Sequence, residues 1–196
     1  MDGDHNAADR ERREAGEGGV NCPLVACFDP GYANFGWGLV EGRRVERCGV
    51  LFTPAGMDIG KRLDAVAEQA GTVIDSVGVD VVAAEEQWRV QVGKMAHGKT
   101  THNALWQAQV VGILRGIASW RNIPFLLVTP DQLRKSVGCS SKATKNAILT
   151  AVQRTCTGQL PRLKKHNHAA DAIAVGVAAG LMTRTRQLAI GEDKRG

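Results

Sequence analysis

With 196 residues, the chain has the length of one domain with short tails and is long enough to bury a sizeable core. No apolar run approaches the roughly 18 residues that span a bilayer, and the N-terminus is charged, so we expect a cytoplasmic protein without membrane contact. The five cysteines are scattered and form no Cys-x-x-Cys pair. This spacing is typical neither of a zinc knuckle nor of a disulfide framework.

The net charge of +5 is unevenly distributed along the chain. Residues 1–19 hold six acidic side chains, three arginines and almost no large apolar residue, which predicts a disordered tail over residues 1–21. The rest of the chain carries 22 basic and 14 acidic side chains, a net charge of +8. A basic domain favours a polyanionic partner such as nucleic acid.

The hydrophobic pattern predicts an α/β domain over residues 22–183. Three strands at 24–28, 35–40 and 45–52 have short links, which is typical of an antiparallel meander. Apolar residues at helical spacing over 59–77 precede a strand at 79–84, a helix at 103–121 and a strand at 124–128. Helices at 130–137, 142–156 and 168–182 follow, and residues 184–196 form a charged tail. This order predicts a mixed five-stranded sheet flanked by helices.

Acidic residues stand where three of these elements meet a loop. Asp29 ends the first strand, Glu86 follows the fourth, and Asp171 lies near the start of the last helix, three residues after His168. If the first and fourth strands are parallel neighbours, these side chains converge on one point. Carboxylates gathered in a cleft repel each other unless a cation neutralises them, and oxygen ligands favour Mg²⁺ or Mn²⁺. Two such ions can hydrolyse a phosphodiester.

Each of these residues also has a structural interpretation. Asp29 precedes Pro30-Gly31 and is a typical turn former, Glu86 is a typical charge at the rim of a sheet, and His168 with Asp171 is a typical helix-capping or ion-pair arrangement.

The motifs 28–31, Glu86-Gln87 and 168–172 together resemble the RuvC-like Holliday-junction resolvases of the ribonuclease H-like superfamily, over residues 24–182. The resemblance implies a three-layer fold and a homodimeric endonuclease that nicks two strands of a four-way DNA junction. It also implies that two Mg²⁺ or Mn²⁺ ions are held by a catalytic set of Asp29, Glu86, His168 and Asp171. Glu85 is the rival to Glu86, and we favour Glu86 because Gln87 follows it and because it continues the alternation from Val82 and Ala84.

The same resemblance implies contacts to DNA. Lys145, with Lys142 and Lys135 as neighbours, lies around the helix start that matches a family position near the scissile phosphate. One of these lysines would stabilise charge developing at phosphorus, and the alternative is that they form a solvated helix face. Trp88 follows Gln87 directly, one position away from the family's aromatic residue. It would stack on junction bases, and the alternative is a tryptophan of the core. The predicted DNA contacts are basic or aromatic residues close to these motifs: Trp88, Arg89, Lys94, Lys99, Lys142 and Lys145.

Two other functions fit parts of the sequence. Residues 93–100 match G-x-x-x-x-G-K-[ST], which is typical of a phosphate-binding loop that would use Lys99 and Thr100. This nucleotide-binding hypothesis leaves Asp29, His168 and Asp171 unexplained. A protein that binds junctions without cleaving them is the other alternative.

Overall fold

A computed structural model describes residues 22–76, 78–86, 99–161 and 167–193, with no account of the side chains of 99–103 and 188–193. Its centre is a six-stranded sheet in the order β5-β4-β1-β2-β3-β6. The strands are β1 (Leu24–Asp29), β2 (Asn34–Glu41), β3 (Arg44–Phe52), β4 (Val81–Glu85), β5 (Phe125–Val128) and β6 (Thr157–Gly158). The predicted number of five was too low, because β6 has only two residues and is too short to leave a hydrophobic pattern.

The sheet is mixed, as predicted. Strand β1 pairs antiparallel with β2, and β2 with β3, while β1–β4 and β4–β5 are parallel pairs. Gly42 closes the β2–β3 hairpin with a φ of 58°, a left-handed conformation that glycine adopts without strain. Since β1, β4 and β5 run in the same direction, their carboxyl ends share one edge of the sheet.

Five helices lie in the described ranges: α1 (Ile59–Asp75), α2 (Lys99–Trp120), α3 (Pro130–Ser136), α4 (Lys145–Thr155) and α5 (Asn167–Asp193). Helix α5 continues beyond the predicted helix end at residue 182, through Asp193, so residues 184–193 of the predicted charged tail are helical. Arg186 and Gln187 are exposed on this helix, and polar residues on an exposed helix surface give the same sequence signal as a polar loop.

The two faces of the sheet carry separate cores. Val25, Cys27 and Ala83 pack with α3, α4 and α5, whereas Ala26 and Phe28 pack with α1 and α2. This arrangement gives three layers, which confirms the predicted ribonuclease H-like architecture. Within the described ranges, none of the helices combines the length and the hydrophobicity that a membrane-spanning segment requires.

Candidate metal-binding active site

The end of β1 meets the start of α5. Asp29 is the last residue of β1 and is 6% exposed, on the same face of the sheet as Cys27 and Val25. His168 stands in the first turn of α5, and its Nδ1 lies 2.6 Å from Oδ2 of Asp29. The two residues are 139 positions apart in the sequence, and the fold brings them into direct contact.

Asp171 lies one helical turn after His168 and is 4% exposed. Its Oδ2 is 3.2 Å from Nζ of Lys145, the first residue of α4. Partial burial lowers the pKa of Lys145, but Asp171, Asp29 and Glu85 together outweigh it, so that this pKa is raised and the ammonium stays charged. With a side chain that is 59% exposed, Lys145 has room for a second anionic partner.

The choice of Glu86 over Glu85 is corrected by the strand register. Cys27 pairs with Ala83, so the face of β4 that carries Ala83 and then Glu85 is the face that carries Asp29. Glu86 continues the alternation from Val82 and Ala84, as expected, but these residues pack on the opposite face, against α1 and α2. Glu85 is therefore the carboxylate that points toward the site.

Electrostatics agree with this placement. Burial, and then the negative charges of Asp29 and Asp171, raises the pKa of Glu85 to about 8 against the opposing effect of Lys145 and Arg134. Burial and Asp29 also raise the pKa of Asp171 to about 6. A carboxyl cluster of this kind holds protons at neutral pH unless a cation replaces them.

The donor set fits a divalent metal ion. Asp29, His168 and Asp171 each offer one ligand atom, and these atoms lie within 4.8 Å of one another. In addition, Oδ1 of Asp171 is buried and has no hydrogen-bond partner among the described residues. A buried carboxylate oxygen without a partner is costly, and a metal ion would satisfy it.

Gly36 is a residue of this site that the sequence did not reveal. It pairs with Asp29 across the β1–β2 ladder. A Cβ atom at Gly36 would lie only 2.1 Å from the carbonyl oxygen of His168 and 3.0 Å from its Cβ. The missing side chain therefore allows the first turn of α5 to rest on β2 and brings His168 to Asp29.

We expect Gly36→Ala to push the start of α5 away and to reduce the cleavage rate on the order of 100-fold, since a displacement of about 1 Å has such effects on catalytic groups. Gly38→Ala is the matched control, because a Cβ there would lie 3.1 Å from Sγ of Cys27 and 3.5 Å from Ile173, away from His168. Cleavage rates and Mn²⁺ affinity by calorimetry measure the effect. Equal losses in both variants would contradict this role for Gly36.

The raised pKa values of Glu85 and Asp171 also predict how stability depends on pH in metal-free protein. The native state keeps protons that the unfolded chain releases, so the free energy of unfolding falls as the pH rises from about 4 to about 8. We expect the Tm in EDTA to fall over this range and Glu85→Gln to flatten the fall above about pH 6. Because metal ions compete with protons for these ligands, Mn²⁺ should stabilise the protein more near pH 8 than near pH 5. Calorimetry showing the reverse order would contradict this assignment.

The predicted DNA contacts are only partly placed. Lys142 is exposed before α4, and Lys145 faces the site. Trp88, Arg89 and Lys94 lie outside the described residues, and Lys99 begins α2 with a side chain that is not described. Residues 93–98 of the phosphate-loop motif at 93–100 also lie outside them.

Arg134 is a second cation that the sequence did not single out. It lies in α3, which follows β5 at the carboxyl edge of the sheet, and it lowers the pKa of Glu85. Its Nε is buried without a hydrogen-bond partner among the described residues, although its Nη1 lies 3.7 Å from Asp131. The sequence offered one indication of this role: Arg134 follows closely after β5, whose carboxyl end lies at the same edge of the sheet as the site.

A mixed sheet with an acidic cluster at the carboxyl ends of β1 and β4 defines a protein of the ribonuclease H-like class. The sequence matches the family described as crossover junction endodeoxyribonuclease RuvC over residues 25–179. The chain belongs to the RuvC family.

Relatives of known family also support membership in the RuvC family. The RuvC of Thermomicrobium roseum is 32% identical over 167 residues, which are 84% of this chain and 96% of the relative. The RuvC of Frankia alni is 32% identical over 158 residues, 78% of this chain and 75% of the relative.

Two solved structures share the fold. Thermus thermophilus RuvC in complex with a Holliday junction substrate has a TM-score of 0.65 at 20% identity, covering 83% of this chain and 96% of that one. The yeast mitochondrial Holliday junction resolvase Ydc2 has a TM-score of 0.55 at 15% identity, covering 91% and 87%.

Proposed function

We propose that this chain is a metal-dependent endonuclease that resolves four-way DNA junctions by paired nicking. The observation that carries the proposal is the cluster of Asp29, His168 and Asp171, whose ligand atoms lie within 4.8 Å of one another in a chain of the RuvC family. Glu85 and Lys145 face the same cluster. Buried carboxylates that can bind metal ions, next to the exposed ammonium of Lys145, are suited to the hydrolysis of a phosphodiester.

Four side chains, namely Asp29, Glu85, Asp171 and His168, would hold Mg²⁺ or Mn²⁺, and four ligands of this kind suit two ions. When bound, divalent ions supply an activated water and stabilise the leaving oxygen, so that cleavage leaves a 5′-phosphate and a 3′-hydroxyl. Asp29 orients the ring of His168 through the 2.6 Å contact to Nδ1. We also retain as proposed DNA contacts the remaining residues of the predicted set: Trp88, Arg89, Lys94, Lys99 and Lys142.

Lys145 has a distinct part in this proposal. Its ammonium neutralises Asp171 at 3.2 Å and, being largely exposed, can also bind a phosphate oxygen of the substrate. Lys145 is the first residue of α4, so the positive end of that helix dipole would also face the bound phosphate. Lys145 thus links the carboxylate cluster to the DNA backbone.

A homodimer is supported by the outer face of α2. Leu105 is 57% exposed and Trp120 is 86% exposed. Among the described residues, no atom beyond the local helix lies within 4 Å of a Cβ placed at Gly112 or Gly116. Helical spacing puts these four positions on one side of α2. Glycines between large apolar residues allow a second copy of the helix to approach closely, and paired nicks require two active sites.

We expect Gly112→Arg to convert the dimer to a monomer, because a long charged side chain would stand at the centre of this face. A Cβ atom at Gly112 would meet no described atom outside its own stretch of helix within 4 Å, so the fold should tolerate the substitution. Gly56→Arg is the control, since that glycine also has open space and lies in the loop before α1. Light scattering after size exclusion gives the masses. A dimer in both variants would contradict the proposed interface.

The function is tested with labelled four-way junction, flap and linear duplex in the presence of Mg²⁺, Mn²⁺ or EDTA. We expect metal-dependent nicking with a clear preference for the junction. Binding without nicking would favour the non-cleaving alternative. Stabilisation by ATP that Lys99→Ala abolishes would favour the nucleotide-binding alternative.

A further inference from the structure

The last residues of β3 lie near the proposed site, and two of their side chains share its face of the sheet. Gly36 pairs with both Asp29 and Val50, and Asn34 pairs with Phe52. Paired residues point to the same side of a sheet and alternate residues share a face, so Val50 and Phe52 stand on the face of Asp29. Helix α5 packs on this face over β1, β2 and β4. Phe52 is 53% exposed, and Val50, two residues before it, pairs with Gly36, the glycine that the first turn of α5 approaches.

The backbone beside Phe52 is anchored to a neighbouring loop. The next residue, Thr53, donates from Oγ1 to the carbonyl oxygen of Tyr32 at 2.9 Å and from its amide to the carbonyl oxygen of Ala33 at 3.0 Å. Tyr32 and Ala33 belong to the turn that follows Asp29. These two bonds fix the backbone beside Phe52 to the loop of the proposed catalytic aspartate, so the backbone there has little conformational freedom to lose when Phe52 makes a contact.

The distance between Phe52 and the site suits a bound DNA strand. Two strand spacings across the sheet and one pair of residues along it separate Phe52 from Asp29, on the order of 12 Å. At about 3.4 Å per stacked nucleotide, this distance corresponds to roughly three or four nucleotides. A strand whose phosphate lies at Asp29 and that leaves across β2 and β3 therefore passes Phe52.

We propose that Phe52 contacts the substrate DNA, stacking on a base or a deoxyribose within a few nucleotides of the scissile phosphate on the β3 side of the site. The inference rests on the proposed function. It adds a DNA contact at the end of β3, which lies on the other side of β1 from β4. An aromatic ring accepts any base, because every base offers a flat face, so this contact contributes affinity without reading sequence.

The test compares Phe52→Ala, Phe52→Leu and Phe52→Trp with Leu181→Ala. Leu181 is 51% exposed, which matches Phe52, but it lies 13 residues after His168 in α5, about 20 Å from the site. Junctions carry 2-aminopurine at positions up to four nucleotides on either side of the nick. Kd is measured in EDTA by anisotropy, KM and kcat are measured with Mg²⁺, and Tm is measured for each variant.

We expect Phe52→Ala and Phe52→Leu to raise Kd and KM roughly tenfold, within the range for the loss of one base–aromatic stack, with kcat and Tm little changed. Phe52→Trp should restore both constants, and one 2-aminopurine position should lose its quenching in the alanine and leucine variants only. Unchanged Kd and KM in Phe52→Ala, or an equal effect of Leu181→Ala, would overturn the role of Phe52 alone. Failure of the unaltered chain to nick any junction would overturn the proposed function as well.

Discussion

Replacing Asp29 with Asn should lower metal-dependent nicking of a four-way junction on the order of 1,000-fold or more, because it removes a buried ligand atom at the centre of the cluster. Junction binding should change only a few-fold, since Asp29 is a carboxylate and contributes no positive charge to the DNA surface. The Tm in EDTA should stay equal or rise, because the substitution removes a negative charge that raises the pKa of both Glu85 and Asp171.

Asp64→Asn is the control for Asp29→Asn. Asp64 is exposed on α1, which packs on the opposite face of the sheet, and the substitution removes the same charge from the chain. It should leave nicking unaltered. If Asp29→Asn nicks at the rate of the control, Asp29 has no catalytic part.

The second large effect distinguishes two adjacent carboxylates. We expect Glu85→Gln to reduce nicking at least 100-fold and Glu86→Gln to change it only a few-fold, because Glu85 lies on the face of Asp29 and Glu86 lies on the other face. The loss in Glu85→Gln should come with weaker Mn²⁺ binding, measured by calorimetry. The reverse ranking of the two variants would mean that the register between β1 and β4 does not set the site.

Much of the site follows from local patterns in the sequence. Alternation along β1 puts Asp29 on the face of Val25 and Cys27, and the spacing of three residues in α5 puts His168 and Asp171 on one side of the helix. The helical connection predicts that β1 and β4 run parallel if they share a sheet, and in the structure they are parallel neighbours. These relations depend on one element at a time, or on the order of elements.

The choice between Glu85 and Glu86 depends on more than one element. All four residues from Val81 to Ala84 are buried, so neither face of β4 differs in hydrophobicity from the other. Only the register with β1, where Cys27 pairs with Ala83, shows which face turns to α5. Alternation alone correctly puts Glu86 on the same face of β4 as Val82 and Ala84. It does not show which side of the sheet that face is on.

Gly36 and Arg134 stayed hidden for a related reason. The need for glycine at position 36 arises from the carbonyl oxygen of His168, which a Cβ would meet at 2.1 Å, and that approach depends on where α5 rests on the sheet. Arg134 matters through its charge near Glu85, a residue distant in the chain. Such contacts between distant elements leave no periodic pattern in the sequence.

The most direct test of the central claim is to map the cuts that the unaltered chain makes in a four-way junction labelled in turn on each strand. The account predicts, in Mg²⁺ or Mn²⁺, symmetric nicks in two strands of the same polarity, with 5′-phosphate ends that a ligase reseals into linear duplexes. It also predicts that Asp29→Asn makes none of these cuts. Unpaired cuts spread along duplex arms, ends that cannot be resealed, or no metal-dependent cut at all would contradict it.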